Sequence, residues 1–157
     1  MSFESIYKIY SPKIFRVCLG YFNDAEKAKD VTQETFIVVF ECLSSLKNKD
    51  NIAGWIYRIA TNKCLRQLQN EKRNELLPDY DFSNMEDKEA AVPEEAYLRL
   101  WQYINELNEL DRIIIGLYLE DLNQDKIAEI VGLSHANVRV RVHRIKEILS
   151  KKMKMHE

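Results

Sequence analysis

Helix-breaking residues are rare in this chain, and this limits the folds that it can adopt. Its 157 residues contain only four glycines and three prolines, and no stretch sustains the alternation of apolar and polar residues that marks a half-buried strand. Apolar residues instead recur every three or four positions. We therefore predict an all-α protein, and 46% hydrophobic residues against 31% charged residues are typical of a globular one.

Three helices are predicted in the first 75 residues. The first spans residues 2–21, and we expect Pro12 to interrupt it because proline lacks the backbone N–H. Asp24 is a suitable N-cap for the second helix. Its inward residues are Ala28, Val31, Phe36, Val39, Phe40 and Leu43. The third helix covers residues 52–73. Its inward residues are Ile52, Ile56, Ile59 and Ala60.

Charge is distributed unevenly beneath a net charge of −2. Residues 52–73 carry five basic residues against one acidic residue, and residues 134–154 carry seven against one. Between them, residues 75–111 carry eleven acidic residues against two basic ones. Clustered Lys and Arg indicate nucleic-acid binding, because neutralising phosphates releases counterions. The alternative is that both blocks are solvated helix faces.

This pattern divides the chain into two small helical domains joined by an acidic linker. The first domain covers residues 1–75, and the linker covers residues 76–93, where no periodic apolar face is present. Helical periodicity resumes in the second domain, which covers residues 94–157. About 75 residues are enough for a domain to form a core of its own.

The second domain contains the parts of a helix-turn-helix. Asn123 can cap a short helix, Gly132 supplies the turn, and Ser134 can cap the next helix. The inward residues of that last helix are Val138, Val142, Ile145 and Leu149. Its outward surface fits a major groove, with base edges met near the N-terminus and phosphates met by basic flanks. We assign to this duplex-binding surface Ser134, Ala136, Asn137, Arg139, Val140, Arg141, His143 and Arg144.

The alternative for this segment is an ordinary helical hairpin with a solvated basic face. The outward Val140 counts against it, because a thymine methyl group would suit a valine side chain.

One flank of the third helix combines an aromatic ring, an amide and several basic groups. An aromatic ring can stack on an unpaired base, guanidinium groups can hold the backbone, and an amide can read a Watson–Crick edge. We assign to this single-strand surface Trp55, Arg58, Asn62, Lys63 and Arg66, and Gln69 lies on the same flank. The alternative is that Trp55 anchors the core and the arginines are solvated. A half-buried indole would satisfy both descriptions.

Several function classes find no support. Cys18, Cys42 and Cys64 are far apart at apolar positions, which indicates free thiols in a reducing, cytosolic compartment. His135 and His143 are eight residues apart and have no nearby Cys or carboxylate cluster, so we expect no metal site. No phosphate loop or nucleophile motif is present, so we expect neither an enzyme nor a cofactor. No leader-like segment or run of ~18 apolar residues predicts export or membrane insertion.

Three stretches resemble, in order and spacing, the signature regions of bacterial sigma factors of the extracytoplasmic-function class, the two-domain members of the sigma-70 family. They are DVTQETFIVVF, WIYRIATNKCLRQLQNEKR and KIAEIVGLSHANVRVRVHRIKEIL. The resemblance covers nearly the whole chain outside the linker. It implies a transcription initiation factor without catalytic chemistry, which binds core RNA polymerase and directs it to promoter DNA. The chain departs from the family at Asn108, where proline is common, and in NVRVR, where Thr-Val-Lys-Ser-Arg is common. The preferred promoter should differ accordingly.

The resemblance also implies a role for each surface. Asp30, Gln33 and Glu34 match the polar patch that docks on the coiled coil of the largest polymerase subunit. The loop KNKDN and the start of the third helix match the part that captures a flipped base of the melted element near minus ten, and the matching positions are Trp55, Arg58, Asn62 and Arg66. The last helix matches the reader of the duplex element near minus thirty-five, with Arg139, Arg141 and Arg144 at contact positions. The acidic linker matches the segment that threads toward the polymerase active-site cleft.

The resemblance bears on regulation as well. Because the sequence ends at Glu157, we expect no signal-sensing extension after the second domain, and the resemblance then implies a separate anti-sigma factor as the regulator. A stand-alone helix-turn-helix repressor or activator, which would bind its operator without polymerase, is the remaining alternative.

Overall fold

A computed structural model describes residues 2–46, 51–73 and 95–155 of the chain, apart from the side chains of residues 68–73 and Tyr97. The linker at 76–93, most of the KNKDN loop and the side chain of Gln69 therefore lie outside the described residues. The described part contains seven α-helices, one 3-10 turn and no strand, and the all-α prediction is confirmed. The helices are α1 (Phe3–Phe22), α2 (Ala25–Cys42), α3 (Ile52–Arg73), α4 (Glu95–Glu106), α5 (Glu109–Leu119), α6 (Gln124–Val131) and α7 (His135–Lys154), and the 3-10 turn is Leu43–Ser45.

Helix starts lie where the capping residues predict them. The side chains of Asp24, Asn123 and Ser134 each accept a hydrogen bond from a backbone N–H in the first turn, at 3.0, 2.9 and 3.1 Å. Each bond satisfies a donor that the helix itself leaves unpaired. Gly132 ends α6 with a φ of 77°, a left-handed conformation that glycine adopts without a steric penalty. The predicted helix-turn-helix therefore has its expected local chemistry.

The predicted interruption of α1 is wrong, because the helix continues through Pro12. A proline inside a helix costs about 3 kcal/mol through its missing N–H and its steric clash. Here Pro12 is exposed, while Ile6 and Ile14, on either side of it in sequence, are fully buried. Core packing on both sides of the proline offsets this cost and holds the two turns in one helix.

Two predicted inward faces are partly wrong. Phe40 of α2 is 66% exposed, and its ring packs edge-on against Phe3 with ring centroids 5.2 Å apart. In α3, Ile52 and Ile59 are only half-buried. The residues of α3 that are buried are Ile56, Tyr57, Ala60, Thr61 and Cys64. The inward face of α3 is thus rotated toward Tyr57. In α7 the four predicted inward residues are all buried.

The helices form two groups that also pack on each other. Helices α1, α2 and α3 form one group, α4 to α7 form the other, and α1 meets α4 and α5 while α3 meets α6. One continuous hydrophobic cluster includes buried residues of both groups. Polar contacts reinforce it: Arg16 pairs with Glu120 at 2.8 Å, and Arg112 donates from Nη1 to the carbonyl of Tyr21 at 3.0 Å.

Candidate nucleic-acid interfaces

The outward face of α7 is a row of exposed side chains on a rigid helix. Buried valine, isoleucine and leucine residues anchor the opposite side, so the outward side chains project at fixed positions. Val140 is 55% exposed, in keeping with a side chain available for a partner. The other exposed residues assigned to this surface are Ser134, Ala136, Asn137, Arg139, His143 and Arg144.

Arg141 differs from the other basic residues of α7, because its guanidinium is held by the protein. Its Nη1 donates to Oδ1 of Asp111 in α5 at 2.9 Å, and its Nε donates to Oδ1 of Asn137 one turn earlier at 2.9 Å. Asn108, the N-cap of α5, fixes Asp111 through two further hydrogen bonds of 2.9 and 3.1 Å. The structure therefore places Arg141 on the edge of the surface rather than projecting freely from it.

The two histidines near this surface have carboxylate neighbours. His143 Nε2 lies 3.4 Å from Glu147 one turn later, and His135 Nδ1 lies 2.9 Å from Asp125 of α6. Among the described residues, no three His, Cys, Asp or Glu side chains are arranged to hold a metal ion. Both pairs therefore bring opposite charges together when the histidine is protonated.

The flank of α3 combines a half-buried indole with exposed polar groups. Arg58, Asn62 and Arg66 are exposed at spacings of four residues, so they share one side of the helix. Trp55 is half-buried and packs against the hydrophobic core, which satisfies both descriptions given for it. Lys63 is half-buried, and its Nζ lies 4.0 Å from Glu34 of α2. The basic flank of α3 thus adjoins the acidic face of α2.

The face of α2 is acidic at its start and apolar toward its end. Asp30, Gln33 and Glu34 are all exposed. The same side continues into Ile37 and Phe40, which are 57% and 66% exposed. Sequence reasoning missed these two residues as surface residues. The signal was available for Ile37, because it lies four residues after Gln33 and three after Glu34, and such positions share one side of a helix.

Two buried side chains in the group of helices α1 to α3, Tyr57 and Cys64, have raised pKa values. Burial raises the pKa of Tyr57 to about 12, with a further increase from the nearby charge of Glu120. The thiol of Cys64 contacts that of Cys18 at 3.7 Å between sulfur atoms. This hydrogen bond, followed by burial, raises the pKa of Cys64 well above its usual value. Both groups stay neutral at ordinary pH and belong to the core.

Comparisons with known proteins match both groups of helices. The family Sigma-70 region 2 matches residues 6–74, and the family Sigma-70, region 4 matches residues 97–149. The ECF RNA polymerase sigma-E factor of Salmonella typhimurium is 30% identical over 138 residues, which cover 79% of this chain and 72% of that protein. The chain belongs to the extracytoplasmic-function class of the sigma-70 family. Like other members, this sigma factor is a transcription initiation factor that directs core RNA polymerase to promoters.

A further relative and two solved structures are also similar to this chain. The ECF RNA polymerase sigma factor SigW of Bacillus subtilis is 28% identical over 168 residues, covering 98% of this sigma factor and 89% of SigW. The sigma factor RpoE of Bartonella quintana, solved in complex with the anti-sigma factor NepR, has a TM-score of 0.80 at 18% identity, with 99% and 98% of the two chains covered. CnrH, solved in complex with the cytosolic domain of CnrY, has a TM-score of 0.74 at 19% identity, with 99% and 89% covered. These two structures share the fold of this sigma factor.

Proposed function

We propose that three helix faces of this sigma factor divide the work of promoter-directed initiation. The face of α2 docks on core polymerase, the flank of α3 holds the melted strand near minus ten, and α7 reads duplex near minus thirty-five. The observation that carries this proposal is that two basic helix surfaces of different chemistry are exposed in one chain. The matches of both groups of helices to sigma-factor regions favour it over a stand-alone regulator.

The α3 flank suits unpaired bases. Trp55 offers an aromatic ring whose position is fixed by packing, while Asn62 and the neighbouring arginines stay exposed. Stacking a base on an aromatic ring contributes about 1–3 kcal/mol and is independent of base identity, whereas an amide can select among bases. Extruding a base from the duplex costs a few kcal/mol. Stacking and backbone contacts on this flank can therefore offset the cost of extruding a base.

The α7 face suits duplex DNA instead. Its N-terminal turn carries small or polar residues such as Ala136 and Asn137, which allow the helix to approach base edges. Arg139 and Arg144 are exposed on either side and can contact phosphates. This face carries no Trp, Tyr or Phe side chain, in keeping with bases that remain paired.

The α2 face suits a protein partner with basic and apolar residues. Asp30 and Glu34 provide negative charge, Gln33 adds hydrogen-bonding groups, and Ile37 with Phe40 adds apolar area. A polar rim beside an aromatic anchor is the usual composition of a protein interface. We assign this face to the polymerase coiled coil that the family resemblance implies.

The rest of the proposal concerns the cellular location, the lack of catalysis and the regulation of this sigma factor. We place this sigma factor in the cytoplasm with the polymerase and assign it no catalytic reaction. In the described residues, the helices are too short or too polar to cross a membrane. We further propose regulation by an anti-sigma factor, because RpoE of Bartonella quintana, which shares this fold, was solved in complex with the anti-sigma factor NepR.

Run-off transcription with core RNA polymerase from the source organism tests the proposal. The chain should confer promoter-specific initiation, and polymerase binding without initiation on any genomic promoter would refute it. Gln33→Ala should weaken polymerase binding before DNA is added, while Gln102→Ala, an exposed glutamine on α4, should not. Asn62→Ala should leave polymerase binding intact and reduce permanganate reactivity of the opened strand. If Asn62→Ala weakened polymerase binding and Gln33→Ala impaired strand opening, the roles assigned to the faces of α2 and α3 would have to be exchanged.

A further inference from the structure

The hydrogen bonds of Arg141 fix the orientation of a neighbouring side chain on the DNA-facing side of α7. Asp111 holds one guanidinium nitrogen, and a second, Nε, donates to the carbonyl oxygen of the Asn137 amide at 2.9 Å. The side chain of Asp111 is only 14% exposed, so the ion pair is screened less than a surface pair. The chain of contacts runs from the start of α5 to the first turn of α7.

The consequence concerns which end of the Asn137 amide is available. An asparagine amide has a carbonyl oxygen that accepts hydrogen bonds and an NH₂ group that donates two. With Oδ1 turned toward Arg141, the NH₂ group is left to meet a partner, and Nδ2 of Asn137 has no hydrogen bond to the described residues. Asn137 is exposed in the first turn of α7, the part of a recognition helix that meets base edges.

We propose that Asp111 is a positioning residue for promoter recognition, which acts through Arg141 to make Asn137 a hydrogen-bond donor toward the major groove. The inference rests on the proposed duplex-reading role of α7. A donor fits a base edge made of acceptors, and guanine presents two, N7 and O6, in the major groove. Adenine is the usual partner of a freely rotating asparagine, because its N7 and N6 require a donor and an acceptor together. The held amide therefore selects guanine over adenine at the base pair it faces.

The test compares base preferences of variant holoenzymes. Core polymerase reconstituted with the full chain is selected on promoters randomised across the upstream element. Asn137→Ala should abolish the preference at one position, which identifies the contacted base pair. At that position the wild-type chain should prefer guanine, and Asp111→Asn should reduce the guanine-to-adenine ratio roughly tenfold, the scale of one bidentate contact. Adding Asp111→Asn to Asn137→Ala should change nothing further at that position.

A second measurement separates positioning from general stability. Once released from Asp111, Arg141 can reach a phosphate, so Asp111→Asn should steepen the salt dependence of binding by up to about one ion. Asn123→Ala, which removes the N-cap of α6, is the matched control for a loosened helix-turn-helix. It should weaken binding to all sequences equally and leave the base preferences unchanged.

Several outcomes would overturn the inference. They are a wild-type preference for adenine at the contacted position, no position affected by Asn137→Ala, and an effect of Asp111→Asn that is uniform over all sequences. In each case the promoter is still recognised, so the proposed function survives. A holoenzyme that recognises no promoter would overturn both.

Discussion

Two buried glycines inside helices should respond in opposite ways to the same substitution. Gly20 lies in α1 against Trp101 of α4, and Gly116 lies in α5. A Cβ atom on Gly20 would lie 2.5 Å from Cζ3 and 2.9 Å from Cη2 of the Trp101 ring. A Cβ atom on Gly116 would have no neighbour within 4 Å. The comparison isolates the contact between the two groups of helices.

The expected change in the free energy of unfolding follows from two opposing effects. Replacing glycine by alanine inside a helix stabilises the folded state by about 0.5–1 kcal/mol, because alanine loses less backbone entropy. Carbon atoms pack at about 3.5–4.0 Å, so the Trp101 ring has to move by about 1 Å in Gly20→Ala. Overpacking of this kind costs about 1–3 kcal/mol. We expect Gly116→Ala to raise the free energy of unfolding by about 0.5–1 kcal/mol, and Gly20→Ala to lower it by up to about 2.5 kcal/mol.

Urea unfolding gives the free energy of unfolding of both variants. In the difference between the two values, the gain in helix propensity common to both substitutions cancels. That difference should be about 1–3 kcal/mol. Trp101→Leu removes the overlapping ring, so in its presence Gly20→Ala should lose its penalty, as a double-mutant cycle would reveal. Equal stabilisation by both glycine substitutions would contradict this prediction, because it would mean that α4 does not pack on α1 at Gly20.

Three further predictions concern thiols, pH and salt. A charged alkylating reagent should modify the half-exposed Cys42 before the buried Cys18 and Cys64, as mass spectrometry of the native protein would show, and simultaneous modification of all three would contradict the burial. Because the pKa of Tyr57 in the folded state, about 12, exceeds its unfolded value of about 10, its contribution to stability is complete below pH ~10 and is lost as pH rises toward ~12. The free energy of unfolding, measured at several pH values, should fall by about 3 kcal/mol over this range. Tyr57→Phe should lessen this fall, and an equal fall in the variant would exclude Tyr57 as its cause. Arg144→Ala should reduce the salt dependence of duplex binding by about one ion, whereas Lys8→Ala, which removes an exposed cation from α1, should leave it unchanged; equal slopes for all three proteins would reject a phosphate contact by Arg144.

Much of the fold was accessible from local sequence signals. Caps at Asp24, Asn123 and Ser134 need only residues in the following turn, and those hydrogen bonds form as expected. The inward residues of α7 stand out because polar and basic side chains occupy most of the remaining positions of that helix. Where a helix has a single apolar stripe, its periodicity is enough to define the buried face.

Helices with apolar residues on several sides could not be oriented in the same way. In α2 the run from Phe36 to Phe40 is apolar throughout, so periodicity does not decide between Val39, which is buried, and Phe40, which is 66% exposed. In α3 the inward face is set by the packing of α1, α2, α5 and α6 around it, and their positions follow from contacts distant in sequence. The interruption expected at Pro12 failed for the same reason, since burial of the flanking turns outweighs a local defect.

Local sequence signals were enough to predict the helical class, the capped helix-turn-helix, the segregation of charge and the motifs that resemble sigma factors, because each depends on residues within a few turns of one another. Which side chains are free to bind a partner depends instead on tertiary packing. Arg141 belongs to a basic block by sequence, yet its partner Asp111 lies 30 residues earlier in the chain. Such a pairing depends on how α5 packs against α7, and long-range packing leaves no periodic signal in either helix.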